Sequence, residues 1–378
     1  MDYQLNELQQ MLQQSAEKYI ERDYDFLTRQ SRAASDLGYS QQQWQQFAEL
    51  GWLGLPFNEE DGGFGGGAGE IMVLMEAFGR GLVLEPYLAS IVLSGQLFAR
   101  LGNTEQKADL LPKLIDGSCK LALAHSEPGS RYELERVQSK ADSNDASYLL
   151  SGQKSVVLNG NDADYYLISA RTGGAGDIDA EGISLFLVAA DSPGLTVRGY
   201  RTADGLQAAD LTFEQLEVAE SALLGEPGNA FEAIEWCFDQ GIAALSAEAL
   251  GCMEILHQTT VEYLQTRKQF DTPIGKFQVL QHAAVDMFIA LSQSRSMVYL
   301  AADRADSARD QRRAALSAAK NFIGRAGRLM GQSATQLHGG VGMSDELNVS
   351  HYFKRLTTIN TWLGDDNHHL AQYSDSLL

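Results

Sequence analysis

The stretch NTWLGDDNHHL, residues 360–370, sets Asp365, Asp366, His368 and His369 within five positions. Carboxylates and imidazoles so close together could ligate a metal or exchange a proton. A metal site needs ligands that converge from one side. On a helix these four splay, and Asp365 with His369 is the best-aligned pair. No metal site is therefore expected. Asp365 reads instead as the first residue of a last helix, accepting from its free backbone N–H groups.

Three further stretches carry residue types suited to a ligand. In TRKQFDTPIGKFQ, 266–278, Arg267 closes a long helical pattern, Pro273 sits in a break, and Phe277 and Gln278 open the next helix. The arginine can close a turn, or it can grip a pyrophosphate through both its nitrogens while Phe270 packs on a flat ring. The pattern leaves both readings open. In QLHGGVGM, 336–343, a helix C-cap accounts for one glycine but not three. The surplus beside Gln336 suits close approach of backbone to a ligand. In AHSEPGS, 124–130, Ser126 and the nearby amides stand at a strand end, where they could meet a ligand or form an ordinary turn. The glycine-rich DGGFGGGAGE, 61–70, follows a helical pattern rather than a strand, so it reads as an inter-helix loop and not a phosphate cradle.

The elements that must position these residues fall into three blocks. Apolar residues at three- and four-residue steps (Leu5, Leu8, Leu12, Ala16, Tyr19, then 44–53 and 71–84) predict helices over 1–118. Short β-type runs such as YLLSGQKSVVLNG and GISLFLVAA, separated by turn residues, predict an antiparallel β-domain over 119–228. Helical periodicity then returns for 229–378. Its stripes, from Ile242 to Tyr263 and from Phe277 to Val298, predict two helices of about seven turns in a four-helix bundle with oligomer contacts. The fold class is α+β.

Composition narrows the function. The net charge of −21 argues against a nucleic-acid partner, which needs a basic surface. Three sparse cysteines without metal spacing point to a reduced, cytoplasmic setting. The acidic N-terminal stretch is unlike a targeting peptide. The most apolar window, 81–98, is interrupted by Glu85, Pro86 and Gln96, so no membrane insertion is expected.

Taken in this order, helices, β-domain and bundle with SEP, RKQFDTPIGKFQ and QLHGGVG at their places, the whole chain resembles the acyl-CoA dehydrogenase family. The resemblance implies an oligomer binding FAD between β-domain and bundle, an acyl-CoA substrate, and an electron-transfer flavoprotein as electron acceptor. By the same resemblance Arg267, Gln269 and Phe270 contact the FAD of a neighbouring subunit, and Ile274 and Gln278 continue that surface. Gln336, Gly339 and Gly340 approach the adenosine diphosphate end, and Ser126 meets the flavin ring.

The chain departs from the family where the base is expected. Many relatives carry the carboxylate that takes the substrate α-proton in a Tyr-Glu-Gly-Thr stretch, and here Trp362, Leu363, Gly364 and Asp365 stand there. The other usual place, on a bundle helix, holds Gly241. A further flavin-contacting stretch, Lys-x-Trp-Ile-Thr in relatives, reads with Val156 and Leu158 in place of Trp and Thr. The pattern is most similar to the small, base-lacking subunits of heteromeric enzymes such as pimeloyl-CoA dehydrogenase, or of sterol side-chain enzymes. A second dehydrogenase-like subunit then supplies the base. The alternatives are a self-sufficient homo-oligomer using Asp365, Glu248 or Asp239, a flavin oxidase or monooxygenase, and a non-catalytic structural subunit.

Overall fold

The computed structural model describes residues 4–174 and 176–377. Helices α1 (Glu7–Asp23), α2 (Phe26–Ala34), α3 (Gln41–Glu49), α4 (Ala68–Gly81), α5 (Gln96–Leu101) and α6 (Thr104–Ile115) come first. Strands β1 (Leu121–Ala124), β2 (Lys140–Asn144), β3 (Ser147–Leu158), β4 (Tyr165–Arg171), β5 (Ile183–Ala189), β6 (Leu195–Arg201), β7 (Gln207–Ala219) and β8 (Leu223–Leu224) follow. Then come α7 (Phe231–Thr266), the hairpin of β9 (Lys268–Gln269) and β10 (Thr272–Pro273), α8 (Gln278–Arg304), α9 (Arg309–His338), α10 (Asn348–Thr361) and α11 (Asp366–Asp375). This is the expected α+β order of helices, sheet and helical bundle.

The chain gathers into two compact units. One holds the described residues up to Ser31, Gly67–Val83 and the described residues from Ile242 onward. In it α1 starts at a capping box between Asn6 and Gln9 and buries Gln9, Ala16, Tyr19 and Ile20. Leu8, expected on the buried face, is exposed. Its neighbour Gln9 turns inward instead and donates to Glu70 Oε1 at 3.0 Å. Helix α4 crosses α7 at two glycines: a Cβ on Gly79 would lie 2.0 Å from the Glu248 carbonyl, and one on Gly251 1.9 Å from that of Glu76.

The buried stripe Ile242, Leu245, Ala249, Cys252, Leu256 and Thr260 runs as its spacing predicts. However, α7 is 36 residues long, about ten turns rather than seven. Eight of its first eleven residues are buried, the polar Glu235, Asp239 and Gln240 among them, so no apolar stripe against a polar one marks this part. On α8, Met287, Leu291, Ser294 and Val298 face inward, whereas Val285, Phe288 and Ile289 stay about half exposed. Helices α8, α10 and α11 all pack on α9.

The other unit holds Arg32–Gly66 and Leu84–Gly241. Its sheet runs β6-β7-β3-β2-β4-β5-β8, with β1 joined to β4. Most pairs are antiparallel, but β1 and β2 both run parallel to β4, a departure from the purely antiparallel expectation. Leu150, Tyr166, Phe186, Leu211, Phe213 and Leu216 build its core. Tyr87–Gly95, entirely buried, winds as a π-helix, and just before it Glu85 Oε1 accepts from the Ser40 N–H at 3.2 Å. No described helix is long and apolar enough to cross a membrane.

Candidate functional site

Two of the ligand-type stretches meet in the helical unit. Tyr263, one turn before the end of α7, stacks on His338 at the end of α9, with ring centroids 4.3 Å apart. Arg267 follows on the α7 side, its N–H bonded to the Tyr263 carbonyl, and Gly339 and Gly340 follow on the α9 side. The RKQF hairpin is strained. Phe270 and Asp271 hold φ of 53° and 60°, left-handed values that non-glycine residues take at a cost. They form the two-residue tip between β9 and β10, and the Phe270 ring is 88% exposed. Arg267 is exposed and has no ion-pair partner among the described residues. Gln269, Gln278 and Gln336 are exposed as well, and Ile274 is partly so.

Gly339 takes a φ of 67° that favours glycine, whereas Gly340 does not need the left-handed region. A Cβ on either would meet no atom within 4 Å. The chain's own packing therefore gives no reason for glycine at 340. Bare backbone facing open space, joined through the Tyr263–His338 stack to the helix end that carries an unpaired guanidinium and an exposed aromatic ring, suits a ligand with phosphates and a flat ring.

The 360–365 loop is the second part, also in the helical unit. Asp365 caps α11, its Oδ1 accepting from the His368 N–H at 2.8 Å, as its position predicts. Asp366 is buried and accepts from Asn360 Nδ2 and Arg328 Nη2, each at 3.3 Å. Among the described residues no group of three or more His, Cys, Asp and Glu is arranged to hold a metal. Leu363, at φ 56°, packs against the cluster of Ile242, Ala243, Ala301 and Leu316. Glu248 is buried, and both its oxygens accept from Arg355, Oε1 from Nε and Oε2 from Nη2, at 2.6 Å each. The same guanidinium stands 4.7 Å over the Trp362 ring. Both oxygens of this carboxylate are thus engaged by one guanidinium, in a buried ion pair.

Three residues that hold this loop are invisible to motif reading: Glu248 as an ion-pair partner, Arg355, and above all Lys320. The Lys320 ammonium is wholly buried and donates to the carbonyls of Asn360 (3.2 Å), Trp362 (2.8 Å) and Gly364 (2.6 Å). Burial pushes it down to about 7, while Asp365 and Asp366 pull the other way. A lysine in a helix reads by default as a solvated charge. The available signal is its place on the apolar stripe Leu316, Lys320, Ile323, Gly327.

In the β-unit, the SEP turn is anchored by Glu127. Its Oε1 accepts from Lys154 Nζ at 2.7 Å and from Ser139, and its Oε2 from the Gln138 N–H. Burial pushes the Lys154 ammonium down to about 8, against the pull of Glu127. Ser126 remains partly exposed, its carbonyl accepting from the Ser155 N–H and its hydroxyl without a partner among the described residues. Val156 stands half-exposed at a bulge of β3 with φ 54°, an unfavourable value for a β-branched side chain. Gly241 lies within α7, and Asp239, on the same helix, is buried.

Comparison with known proteins gives a consistent match. Family models for the acyl-CoA dehydrogenase N-terminal, middle and C-terminal domains match residues 6–118, 122–217 and 228–378. An acyl-CoA dehydrogenase of Bacillus subtilis (strain 168) is 30% identical over 313 residues, covering 81% of each chain. A solved FAD complex of PigA superposes with a TM-score of 0.92 at 26% identity, covering 100% of this chain and 99% of the other. The ChsE4-ChsE5 complex from Mycobacterium tuberculosis superposes with a TM-score of 0.88 at 25% identity, over 100% and 99%.

Proposed function

Because this chain belongs to the acyl-CoA dehydrogenase family, we propose that it is the base-lacking subunit of a heteromeric FAD-dependent acyl-CoA dehydrogenase. The observation that carries this reading is Leu363. The loop around it is tightly built, yet its side chain is apolar, and the neighbouring acids are a helix cap at Asp365 and an ion pair at Glu248. Gly241, the other expected base position, has no side chain to offer. The partner subunit brings the carboxylate. A complex of two differently named chains on this fold, ChsE4-ChsE5, is a precedent in kind.

FAD is the cofactor of this family, and the exposed residues described above fit it. Arg267, at the pyrophosphate, with Gln269 and Phe270 reaches the FAD of a neighbouring subunit, and Ile274 and Gln278 continue that surface. Gln336, Gly339 and Gly340 receive the adenosine diphosphate end, and Ser126 faces the ring. Bound flavin supplies the hydride acceptor, and an electron-transfer flavoprotein takes the electrons onward. This chain's own contribution to the acyl group is the Leu363 N–H, which donates to no acceptor among the described residues and can donate to a thioester carbonyl. The half-exposed Val285, Phe288 and Ile289 of α8 suit burial against another subunit. The three-part division at residues 118 and 228 is the domain organisation we propose, and the three buried cysteine thiols suit the reducing cytoplasm.

The test is anaerobic flavin bleaching by a panel of acyl-CoA thioesters. The isolated chain should bleach slowly, and co-expression with the dehydrogenase-like partner should restore the rate. Rapid bleaching by the isolated chain would overturn the reading, and Asp365→Asn, Glu248→Gln and Asp239→Asn would then locate the base. A colourless complex that binds no FAD would make the chain a structural subunit instead.

A further inference from the structure

We infer that Lys320 is a positioning residue: it aims and polarises the backbone N–H of Leu363 as a donor to the substrate's thioester carbonyl. This rests on the reading that the chain binds acyl-CoA. No motif points to Lys320, and it touches neither FAD nor substrate in that reading.

The argument is geometric. A trans peptide carries its C=O and its N–H on opposite sides, and no described peptide bond is cis. The carbonyl of Trp362 accepts from Lys320 Nζ at 2.8 Å. The N–H of that same peptide, which belongs to Leu363, therefore points away from the ammonium. The next carbonyl is held too: Leu363 O accepts from His369 Nε2 at 2.9 Å. The His369 ring is neutral, pushed down to about 3 by burial and by Lys320, and a carbonyl partner requires the proton to sit on Nε2. The carbonyl after that, Gly364 O, returns to Lys320 at 2.6 Å. With Asn360 O as its third acceptor, the ammonium spends all three protons on one loop. Leu363 and Gly364, at φ 56° and 103°, are fixed in left-handed conformations by these anchors.

Such anchoring would be superfluous for a surface loop whose leucine merely packs. It is what a preorganised donor requires, because an N–H already aimed costs nothing to reorient as charge grows on the carbonyl oxygen. A cation on the far end of the same peptide strengthens that N–H in addition. The loop has thus lost the carboxylate side chain and kept the apparatus behind the backbone donor.

The experiment compares two ligands on the FAD-loaded protein under anaerobic conditions: octanoyl-CoA and its thioether S-octyl-CoA, which lacks the carbonyl. The wild type should prefer the thioester. In Lys320→Gln, whose amide can still donate to two carbonyls, the preference should shrink by about tenfold, the equivalent of one charge-assisted hydrogen bond reduced to a weak one. Affinity for S-octyl-CoA, FAD content and melting temperature should change little. Lys320→Met should show the same loss of preference more strongly, and if it does not fold, Lys320→Gln decides. An unchanged preference in a folded Lys320→Gln flavoprotein overturns the inference. So does a Lys320→Gln protein that fails to fold or loses both ligands equally, since Lys320 would then be purely structural. A wild type that binds neither ligand sinks the acyl-CoA reading itself, and one that binds both equally leaves that reading standing but removes the donor.

Discussion

Tyr263 and His338 stack with their ring planes 27° apart, and this contact joins the two stretches that motif reading could only list separately. Tyr263 is one helical turn from Arg267, and His338 is next to Gly339. An exposed guanidinium without a partner and two glycines with open space before them are thereby fixed at one place in the helical unit.

The first prediction tests that place. Gly340→Ala should leave the melting temperature of flavin-free protein unchanged, because the added methyl meets nothing in this chain. It should weaken FAD binding by about tenfold or more, since the methyl occupies the ligand's approach. Arg267→Ala should purify folded but pale, and Arg267→Lys should recover little, lacking the planar fork. Titration of apoprotein with FAD checks all three, and wild-type affinity in Gly340→Ala and Arg267→Ala would remove this site.

A second prediction concerns pH. Burial pushes the Glu85 carboxyl up from 4.5 to about 7. The folded value lies above the unfolded one, so its contribution is complete below about pH 4.5 and is lost as pH rises through about 7. The full swing is roughly 3 kcal/mol. Glu85→Gln should flatten the fall in stability between these limits and be more stable than wild type at pH 8. Urea midpoints at pH 5 and pH 8 measure it, and parallel curves for the two proteins would refute it.

The third prediction follows from the crossing of α4 and α7. The Gly79 and Gly251 faces touch backbone, which cannot swing aside as a side chain can. Gly251→Ala should therefore destabilise by about 1–3 kcal/mol, despite alanine's better helix propensity. A urea midpoint equal to or above that of the wild type would show the helices free to part.

How much of this was legible in the sequence depends on whether a residue's role is local. Asp365 as a cap, the break at Pro273 and the inward stripe of α8 from Met287 to Val298 follow from neighbours three or four positions away and match the structure, whereas Phe277, Leu280 and Ala284, expected on that stripe, are not buried. The length of α7 is not legible, because eight of its first eleven residues are buried, Glu235, Asp239 and Gln240 among them, and the polar residues therefore mark no solvent side. Nor is the outward turn of Leu8, which depends on Gln9 finding Glu70 sixty-one residues away. Lys320 and Arg355 were missed for the same reason. Their partners lie 40 to 107 residues distant, and a charge reads as solvated until its acceptors are in view.

The last prediction restores what the loop lacks. Leu363→Glu places a carboxylate on an anchored backbone, at the position where the proposed reading expects the base. The surroundings are apolar: Leu363 packs on the cluster that includes Ile242, Ala243 and Leu316, with Met297 also against it. A glutamate there is desolvated, which disfavours the charged form and raises its pKa. A general base must be ionised to act, so any gain should appear late, growing as pH rises from 6 to 9. The ceiling is the usual contribution of acid–base catalysis, about 10²–10⁴-fold, and the gain should fall short of it. Val156 and Leu158 stand where the family resemblance leads one to expect an aromatic and a hydroxyl contact to the flavin, and a carboxylate at 363 does not replace them. Stopped-flow bleaching of the isolated flavoprotein by octanoyl-CoA at several pH values reads the outcome. A gain that rises with pH supports both the donor loop and the missing base. A folded, FAD-loaded Leu363→Glu protein that binds the thioester with no gain at any pH would mean that the acyl α-carbon does not lie over residue 363, and the partner-supplied base would have to be sought against another part of the chain.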